Sequence, residues 1–179
     1  VCFLILSTSC EKRQFAPPPP SPDPSDIFEP VSQQLRARIY IDATVSMEGF
    51  VVPGASTNYA QILQPLESAA VGGWPTARIE FYQFGTQVLP LQGREHLKAA
   101  QRVFYQNSIN RETRIENVID HADTSNLTVI VTDLFQSEGD VILLVTKLKE
   151  RYLQKNLAVG VLGLRSQYDG TVYDVGINA

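Results

Sequence analysis

The stretch RIYID at residues 38–42 decides the fold of this chain, because it is an apolar strand-like run that stops abruptly on an aspartate. A second run, LTVIVTD at residues 127–133, stops on an aspartate in the same way. After the first run, hydroxyl residues follow Asp42 at every second position, as Thr44 and Ser46. A carboxylate, spaced hydroxyls and a distant second carboxylate predict a cradle for a small divalent cation.

Strand and helix patterns alternate along the rest of the chain. The predicted strands cover residues 36–44, 78–84, 87–91, 127–133 and 157–164. The predicted helices cover residues 56–72 (interrupted at Pro65), 95–105, 113–122 and 140–155. Thr113 is the expected cap of its helix, and the continuous apolar run at 157–164 is typical of a strand covered on both faces. This alternation predicts an α/β domain with a doubly wound, mostly parallel central sheet in three α/β/α layers.

The first residues differ in character from the rest. Residues 1–10, VCFLILSTSC, are too short an apolar run to span a bilayer and resemble the remnant of a secretory signal peptide. The run ends on Cys10 and resembles the lipobox of bacterial lipoproteins, which implies lipidation of Cys10 and an extracytoplasmic, membrane-anchored protein, periplasmic or at the cell surface. An ordinary signal peptide or a frayed apolar end is the alternative. A Pro-rich linker follows at 11–33, and the domain covers 34–179. We expect this sequence to be part of a longer protein that extends beyond it at both ends.

Composition and charge narrow the classes of function. The chain has 179 residues, 44% of them hydrophobic, which is enough for one domain with a sizeable core. Its net charge is −4 and it has no dense stripe of Lys and Arg, so we expect no nucleic-acid partner. Its cysteines, Cys2 and Cys10, precede the domain, so the domain holds neither a disulfide nor a thiolate metal site.

The two aspartates are expected to meet at one edge of the sheet. In open parallel α/β sheets, ligands bind at the carboxyl ends of the strands, where the strand order reverses. If 36–44 and 127–133 are adjacent central strands, Asp42 and Asp133 emerge together there. Thr113 opens a helix from the same edge.

These residues resemble the metal-ion-dependent adhesion site of the von Willebrand factor type A domain. Asp42, Thr44 and Ser46 match the family's Asp-x-Ser-x-Ser motif, with Thr in place of the first Ser. Thr113 matches the threonine before a later helix, and Asp133 matches the aspartate that ends the fourth strand. The resemblance implies that the three hydroxyls bind Mg²⁺ directly, with Mn²⁺ or Ca²⁺ as alternatives. It implies that the two aspartates act through bound waters and hydrogen bonds.

The resemblance extends over residues 36–164 in order and spacing and implies a function without turnover. A magnesium ion held mainly by neutral hydroxyls stays electrophilic, so an acidic side chain of a protein partner is a favourable last ligand. Glu48, Phe50 and Phe135 flank the expected site and are the candidates for contact with that partner. We therefore expect a non-enzymatic protein-binding module of the cell envelope, attached to the membrane only through Cys10.

Two departures from the family pattern leave other functions open. Val45 and Leu134 stand where the family commonly has glycine. A side chain at Val45 restricts backbone angles that glycine would allow, so we expect a reshaped loop after Asp42. One alternative is a metal-free scaffold within a larger envelope lipoprotein, in which Asp42 and Asp133 only cap loops. The other is an aspartate-based phosphatase with Asp42 as nucleophile, but Thr44 stands where that chemistry needs a second aspartate.

Overall fold

The computed structural model describes residues 2–7, 36–52, 56–73, 75–135 and 141–170. Cys10, the linker at 11–33 and the last residues, 171–179, lie outside these described ranges. The described part contains a mixed β-sheet with flanking helices, so the predicted α/β class is confirmed at that level.

The described strands form one sheet. They are β1 (Cys2–Ser7), β2 (Arg36–Asp42), β3 (Arg78–Phe84), β4 (Val88–Leu91), β5 (Leu127–Thr132) and β6 (Ala158–Gly163). Their order across the sheet is β4-β3-β2-β5-β1-β6. Strand β2 runs parallel to β3 and to β5, whereas β4, β1 and β6 pair antiparallel with their neighbours. The predicted adjacency of the two aspartate-ended strands is therefore confirmed.

The helices are mostly short. The α-helices are α1 (Asn58–Leu63), α2 (Leu66–Gly73), α3 (Ile115–His121) and α4 (Val141–Arg151), and the 3₁₀ helices are Val45–Phe50, Glu95–Ala100, Arg102–Tyr105 and Leu153–Lys155. The predicted interruption at Pro65 separates α1 from α2. The continuous helix predicted over 95–105 is wrong, because Gln101 is extended (φ −128°, ψ 139°) and divides that segment into two 3₁₀ helices. The buried residues His96 and Ala99 are three positions apart, which suits the three residues per turn of a 3₁₀ helix.

Strand β2 supplies residues to two hydrophobic clusters. Ile39 and Ile41 belong to a cluster that also contains Tyr59 of α1 and residues of the two 3₁₀ helices between 95 and 105. Tyr40 belongs to another cluster, with Val118 and other residues of α3, and Leu144 and Leu148 of α4 pack against it. Successive side chains of a strand point to opposite faces of the sheet. The end of β2 is therefore packed on both faces of the sheet, and this packing fixes the position of Asp42.

The sequence did not predict the arrangement at one end of the sheet. Residues 2–7 fall in the segment that the sequence assigned to a signal-peptide remnant, and here they form β1, paired with β5 on one side and β6 on the other. The expectation that β6 is covered on both faces is wrong. Because β6 lies at the edge of the sheet, Val161 is 63% exposed and Leu162 57% exposed. Within the described ranges, no helix has both the length and the apolar character that crossing a bilayer requires.

Candidate metal-binding site

Asp42 ends β2 at the carboxyl edge of the parallel part of the sheet. Asp42 is fully buried, with 0% of its surface exposed. The register pairs it with Phe84 at the end of β3, and the next residue, Ala43, donates from its backbone nitrogen to the Phe84 carbonyl at 2.8 Å. The backbone that leaves Asp42 is therefore tied to β3 before the hydroxyl residues begin.

The hydroxyls predicted from the sequence meet at Thr44, which is hydrogen-bonded to Asp42. Thr44 donates to Asp42 Oδ1 from both its hydroxyl, at 2.7 Å, and its backbone nitrogen, at 3.0 Å. Thr44 Oγ1 also lies 3.1 Å from Ser46 Oγ and 2.9 Å from Thr113 Oγ1. Thr44 is thus the centre of a hydroxyl cluster formed by Thr44, Ser46 and Thr113, and Asp42 lies beneath it.

Thr113 reaches this cluster from a loop rather than from a helix cap. The expectation that Thr113 caps α3 is wrong, because α3 begins at Ile115 and Arg114 occupies the cap position without a side-chain cap hydrogen bond. The loop is held against the turn after β3 by Glu112, whose nitrogen donates to Thr86 Oγ1 at 3.3 Å. The first turns of α3 are held there too, because Asn117 Nδ2 donates to the Thr86 carbonyl at 3.0 Å. The Thr113 residue is buried, and its hydroxyl oxygen lies 2.9 Å from that of Thr44.

Gly85 allows the turn after β3 to approach the cluster closely. A Cβ atom built on Gly85 would lie 2.7 Å from Asn110 Cβ and 3.0 Å from Thr44 Cγ2. Any side chain at this position would therefore push against Thr44 or against the buried Asn110. No local sequence pattern marks Gly85, because its role depends on a contact between distant segments.

Thr132 is a site residue that the sequence analysis did not assign. Its hydroxyl donates to Asp42 Oδ2 at 2.8 Å, and it accepts a hydrogen bond from the Leu134 nitrogen at 3.1 Å. Both carboxylate oxygens of Asp42 consequently accept hydrogen bonds from threonine hydroxyls. The signal in the sequence was a threonine directly before the final aspartate of a buried strand.

Asp133 follows at the start of a tight turn. Its Oδ1 accepts a hydrogen bond from the Phe135 nitrogen at 2.9 Å. Between them, Leu134 has φ +61°, in the left-handed region that favours glycine. Leu134 thus takes a backbone angle that glycine favours, although it carries a side chain. Val45, the other departure from the family pattern, opens the 3₁₀ helix Val45–Phe50 and does not have positive φ.

Burial of the Asp42 carboxylate carries an electrostatic cost. Burial raises the pKa of Asp42 from 3.8 to about 7, and the neighbouring charge of Asp133 contributes to the rise. Hydrogen bonds from Thr44 and Thr132 act in the opposite direction and favour the ionised carboxylate. A positive charge placed beside these carboxylates would stabilise the ionised form further, so the site has electrostatic reason to bind a cation.

The three candidates for partner contact lie around this cluster. Glu48 is half-buried and accepts a hydrogen bond from Gln106 Nε2 at 2.9 Å. Phe50 is also half-buried, with its ring centroid 5.9 Å from that of Tyr59 and 4.9 Å from that of Tyr168. Phe135 is 39% exposed. Of the two aromatic candidates, Phe135 therefore presents more of its surface to a partner.

The donor set fits magnesium better than a softer metal. The described residues contain no group of three or more His, Cys, Asp and Glu side chains that could hold a metal ion. The cluster instead offers hydroxyl oxygens with carboxylates beside them, and hard oxygen donors suit Mg²⁺, Ca²⁺ and Mn²⁺. Thr44, Ser46 and Thr113 are the residues that could bind such an ion directly.

Comparison of the chain with protein-family models, with curated proteins and with solved structures gives no match.

Proposed function

We propose that this chain is a non-enzymatic protein-binding module that uses a divalent cation to bind an acidic group on its partner. The observation that supports this most strongly is the convergence of Ser46 and Thr113 on Thr44 above a buried aspartate. Thr44 and Thr113 are 69 positions apart in the sequence, yet their hydroxyl oxygens lie within hydrogen-bond distance. Such an arrangement provides several neutral oxygen donors at one point and leaves the charge to Asp42 and Asp133.

The spacing of the hydroxyl oxygens supports Mg²⁺ as the cation. Magnesium binds oxygen at about 2.1 Å in octahedral geometry, so neighbouring ligand oxygens lie about 3 Å apart. Thr44 Oγ1 is 3.1 Å from Ser46 Oγ and 2.9 Å from Thr113 Oγ1. The hydroxyls therefore need little rearrangement to share one ion. When bound, the ion would supply an electrophilic position for a partner's carboxylate.

The fold that we propose is of the von Willebrand factor type A kind, doubly wound with three α/β/α layers. The parallel pairing of β2 with β3 and β5 supports this, as do the separate clusters that Ile39 and Tyr40 join on opposite faces of β2. The candidate site lies at the carboxyl ends of β2 and β5, the position at which open α/β sheets bind ligands.

We propose that the module acts at the cell envelope, attached to the membrane through a lipid on Cys10. The support is the resemblance of residues 1–10 to a lipobox and the Pro-rich composition of 11–33, which favours an extended spacer. Such a spacer would hold the proposed cation site away from the membrane surface.

Isothermal titration of the purified protein with Mg²⁺ and Mn²⁺ tests the cation site. We expect saturable binding that is lost in Asp42→Ala and in Thr113→Ala and retained in Thr113→Ser, which keeps the hydroxyl. Thr128→Val is the matched control. Thr128 is as fully buried as Thr113, but it lies at the start of β5, at the end of that strand away from the candidate site.

The same titration and a phosphatase assay separate the competing functions. Absence of saturable binding by the folded wild-type protein would refute the cation site and favour the metal-free scaffold. Hydrolysis of p-nitrophenyl phosphate that survives Thr113→Ala but not Asp42→Ala would instead support the phosphatase and refute a non-enzymatic module.

A further inference from the structure

A groove opens beside the hydroxyl cluster. It has a volume of about 190 Å³, and Ser46 of the cluster lies in its wall together with Glu48, Arg102 and Asp169. A partner whose acidic side chain reaches the cation site would have neighbouring residues over this groove. The groove is therefore in a position to contact the partner residues that adjoin the acidic side chain at the cation site.

Arg102 presents a fixed guanidinium in this groove. Its Nε donates to the Val51 carbonyl at 2.9 Å, which anchors one side of the guanidinium to the end of the 3₁₀ helix Val45–Phe50. Its Nη2 donates to the Asp169 carbonyl oxygen at 3.2 Å and to Asp169 Oδ2 at 3.4 Å. The groove thus already holds a carboxylate on an arginine, and that carboxylate belongs to the chain itself.

The Asp169 side chain is suited to be exchanged for another carboxylate. It is 72% exposed, and exposed ion pairs contribute little to stability. The backbone of residues 165–170 is held by other bonds, from the Asp169 nitrogen to the Gly49 carbonyl at 2.7 Å and from the Tyr59 nitrogen to Ser166 Oγ at 3.0 Å. The Asp169 carboxylate can consequently swing away while its backbone stays in place.

Glu48 is the other acidic side chain in the groove, and its charge opposes an acidic ligand. Its Oε1 accepts a hydrogen bond from Gln106 Nε2 at 2.9 Å. Asp169, by contrast, is the acid that contacts Arg102 directly. Displacing Asp169 therefore leaves Arg102 as the cationic group facing the ligand.

We propose that Arg102 is a second carboxylate-binding position, so that the module selects partner segments with two acidic residues. One carboxylate would complete the cation site, and the other would replace Asp169 on Arg102. This inference rests on the proposed function, because the first carboxylate binds only if the cation does. It adds a specificity that the cation alone does not provide.

The test compares two capped peptides, hexaglutamate and a glycine hexapeptide with a single glutamate, by fluorescence polarisation in Mg²⁺ at physiological salt. We expect Arg102→Gln to weaken hexaglutamate binding about threefold to fivefold, the scale of one partly exposed ion pair, without changing single-glutamate binding. We expect Asp169→Asn to strengthen hexaglutamate binding by a similar factor. Arg78→Gln is the charge-matched control, because Arg78 pairs with Glu80 at the opposite end of β3.

The outcomes distinguish this inference from the proposed function. If the wild-type protein binds neither peptide in a Mg²⁺-dependent way, the proposed function fails and the second position fails with it. If Mg²⁺-dependent binding is present but Arg102→Gln weakens hexaglutamate no more than Arg78→Gln does, only the second position is refuted. If Arg102→Gln does not fold, Asp169→Asn decides the question, and unchanged hexaglutamate affinity in that variant refutes it.

Discussion

Thr132 and Asp42 are 90 positions apart in the sequence, and the hydroxyl of the first donates to Oδ2 of the second at 2.8 Å. This bond joins the ends of β5 and β2 at the buried edge where the candidate site lies. With Thr44 on the other carboxylate oxygen, it fixes both the position and the orientation of Asp42. The carboxyl group of Asp42 is therefore held in a fixed position beneath the hydroxyl cluster.

The first prediction concerns the pH dependence of stability without metal. Burial raises the pKa of Asp42 from 3.8 to about 7, so between these values the folded state holds a proton that the unfolded state has lost. The free energy of unfolding should therefore fall as the pH rises from about 4 to 7. The variant Asp42→Asn has no titrating group at this position, so it should lack this contribution to the fall. Urea unfolding in EDTA across this range measures the difference between the two proteins.

Thr132 variants check the cause of that pH dependence. The Thr132 hydroxyl favours the ionised form of Asp42, so Thr132→Val should move the loss of stability to higher pH, and Thr132→Ser should not. A profile for Asp42→Asn that runs parallel to the wild type would show that Asp42 does not titrate in this range.

The second prediction concerns the two positions where the resembling family commonly has glycine. Leu134 has φ +61°, which costs a non-glycine residue about 1–2 kcal/mol. Glycine loses about 0.5–1 kcal/mol more conformational entropy on folding, so Leu134→Gly should be stabilising by roughly 0.5–1 kcal/mol. Val45 lies in a 3₁₀ helix, so Val45→Gly should be destabilising by about 0.5–1 kcal/mol. Chemical unfolding of both variants is the measurement, and the same sign at both positions would contradict it.

The third prediction concerns the contact between Gly49 and Tyr168. A Cβ atom on Gly49 would lie 2.4 to 2.9 Å from atoms of the Tyr168 ring. Gly49→Ala should therefore be destabilising by about 1 kcal/mol, the lower end of the overpacking range, because Tyr168 is 37% exposed and its ring can shift. In a Tyr168→Ala background the same change should cost little, because the clash is gone. Gly72→Ala, with no atom within 4 Å of the added Cβ, is the control and should be neutral or stabilising. A double-mutant cycle with no coupling energy would rule out this contact.

The fourth prediction connects the proposed lipoprotein processing with β1. Cleavage before Cys10 would remove β1, the strand that pairs with β6 in the described sheet. Backbone amides of β6 should then exchange with solvent much faster in a chain that begins at Cys10 than in the full chain, whereas those of β2 stay protected. Hydrogen exchange with mass spectrometry measures both, and equal protection of β6 in the two chains would show that β6 does not depend on β1.

The sequence predicted the parts of the fold that local patterns specify. The apolar runs predicted β2, β3 and β5, and Pro65 predicted the separation of α1 from α2. The spacing of Asp42, Thr44 and Ser46 predicted a cradle of oxygen atoms, and the family resemblance implied that Thr113 joins it. These features depend on residue type and on the rule that ligands bind at the carboxyl edge of parallel strands.

Other features depend on contacts between distant segments and could not be predicted from local pattern. The pairing of β1 with β5 and β6 joins residues far apart in sequence, and its short apolar run equally suited a signal peptide. The role of Gly85 follows from the approach of Asn110 and Thr44, and that of Arg102 from Asp169. β6 has the sequence of a buried strand, but its place at the sheet edge leaves Val161 exposed.

The central claim is tested most directly by a crystal structure of the protein grown with Mg²⁺ and, in a second crystal, with Mn²⁺. We predict an ion about 2.1 Å from the hydroxyl oxygens of Thr44, Ser46 and Thr113, with octahedral geometry and a Mn²⁺ anomalous peak at the same point. A well-ordered cluster that holds only water at high Mg²⁺, with no anomalous peak in Mn²⁺, would contradict the proposed cation site.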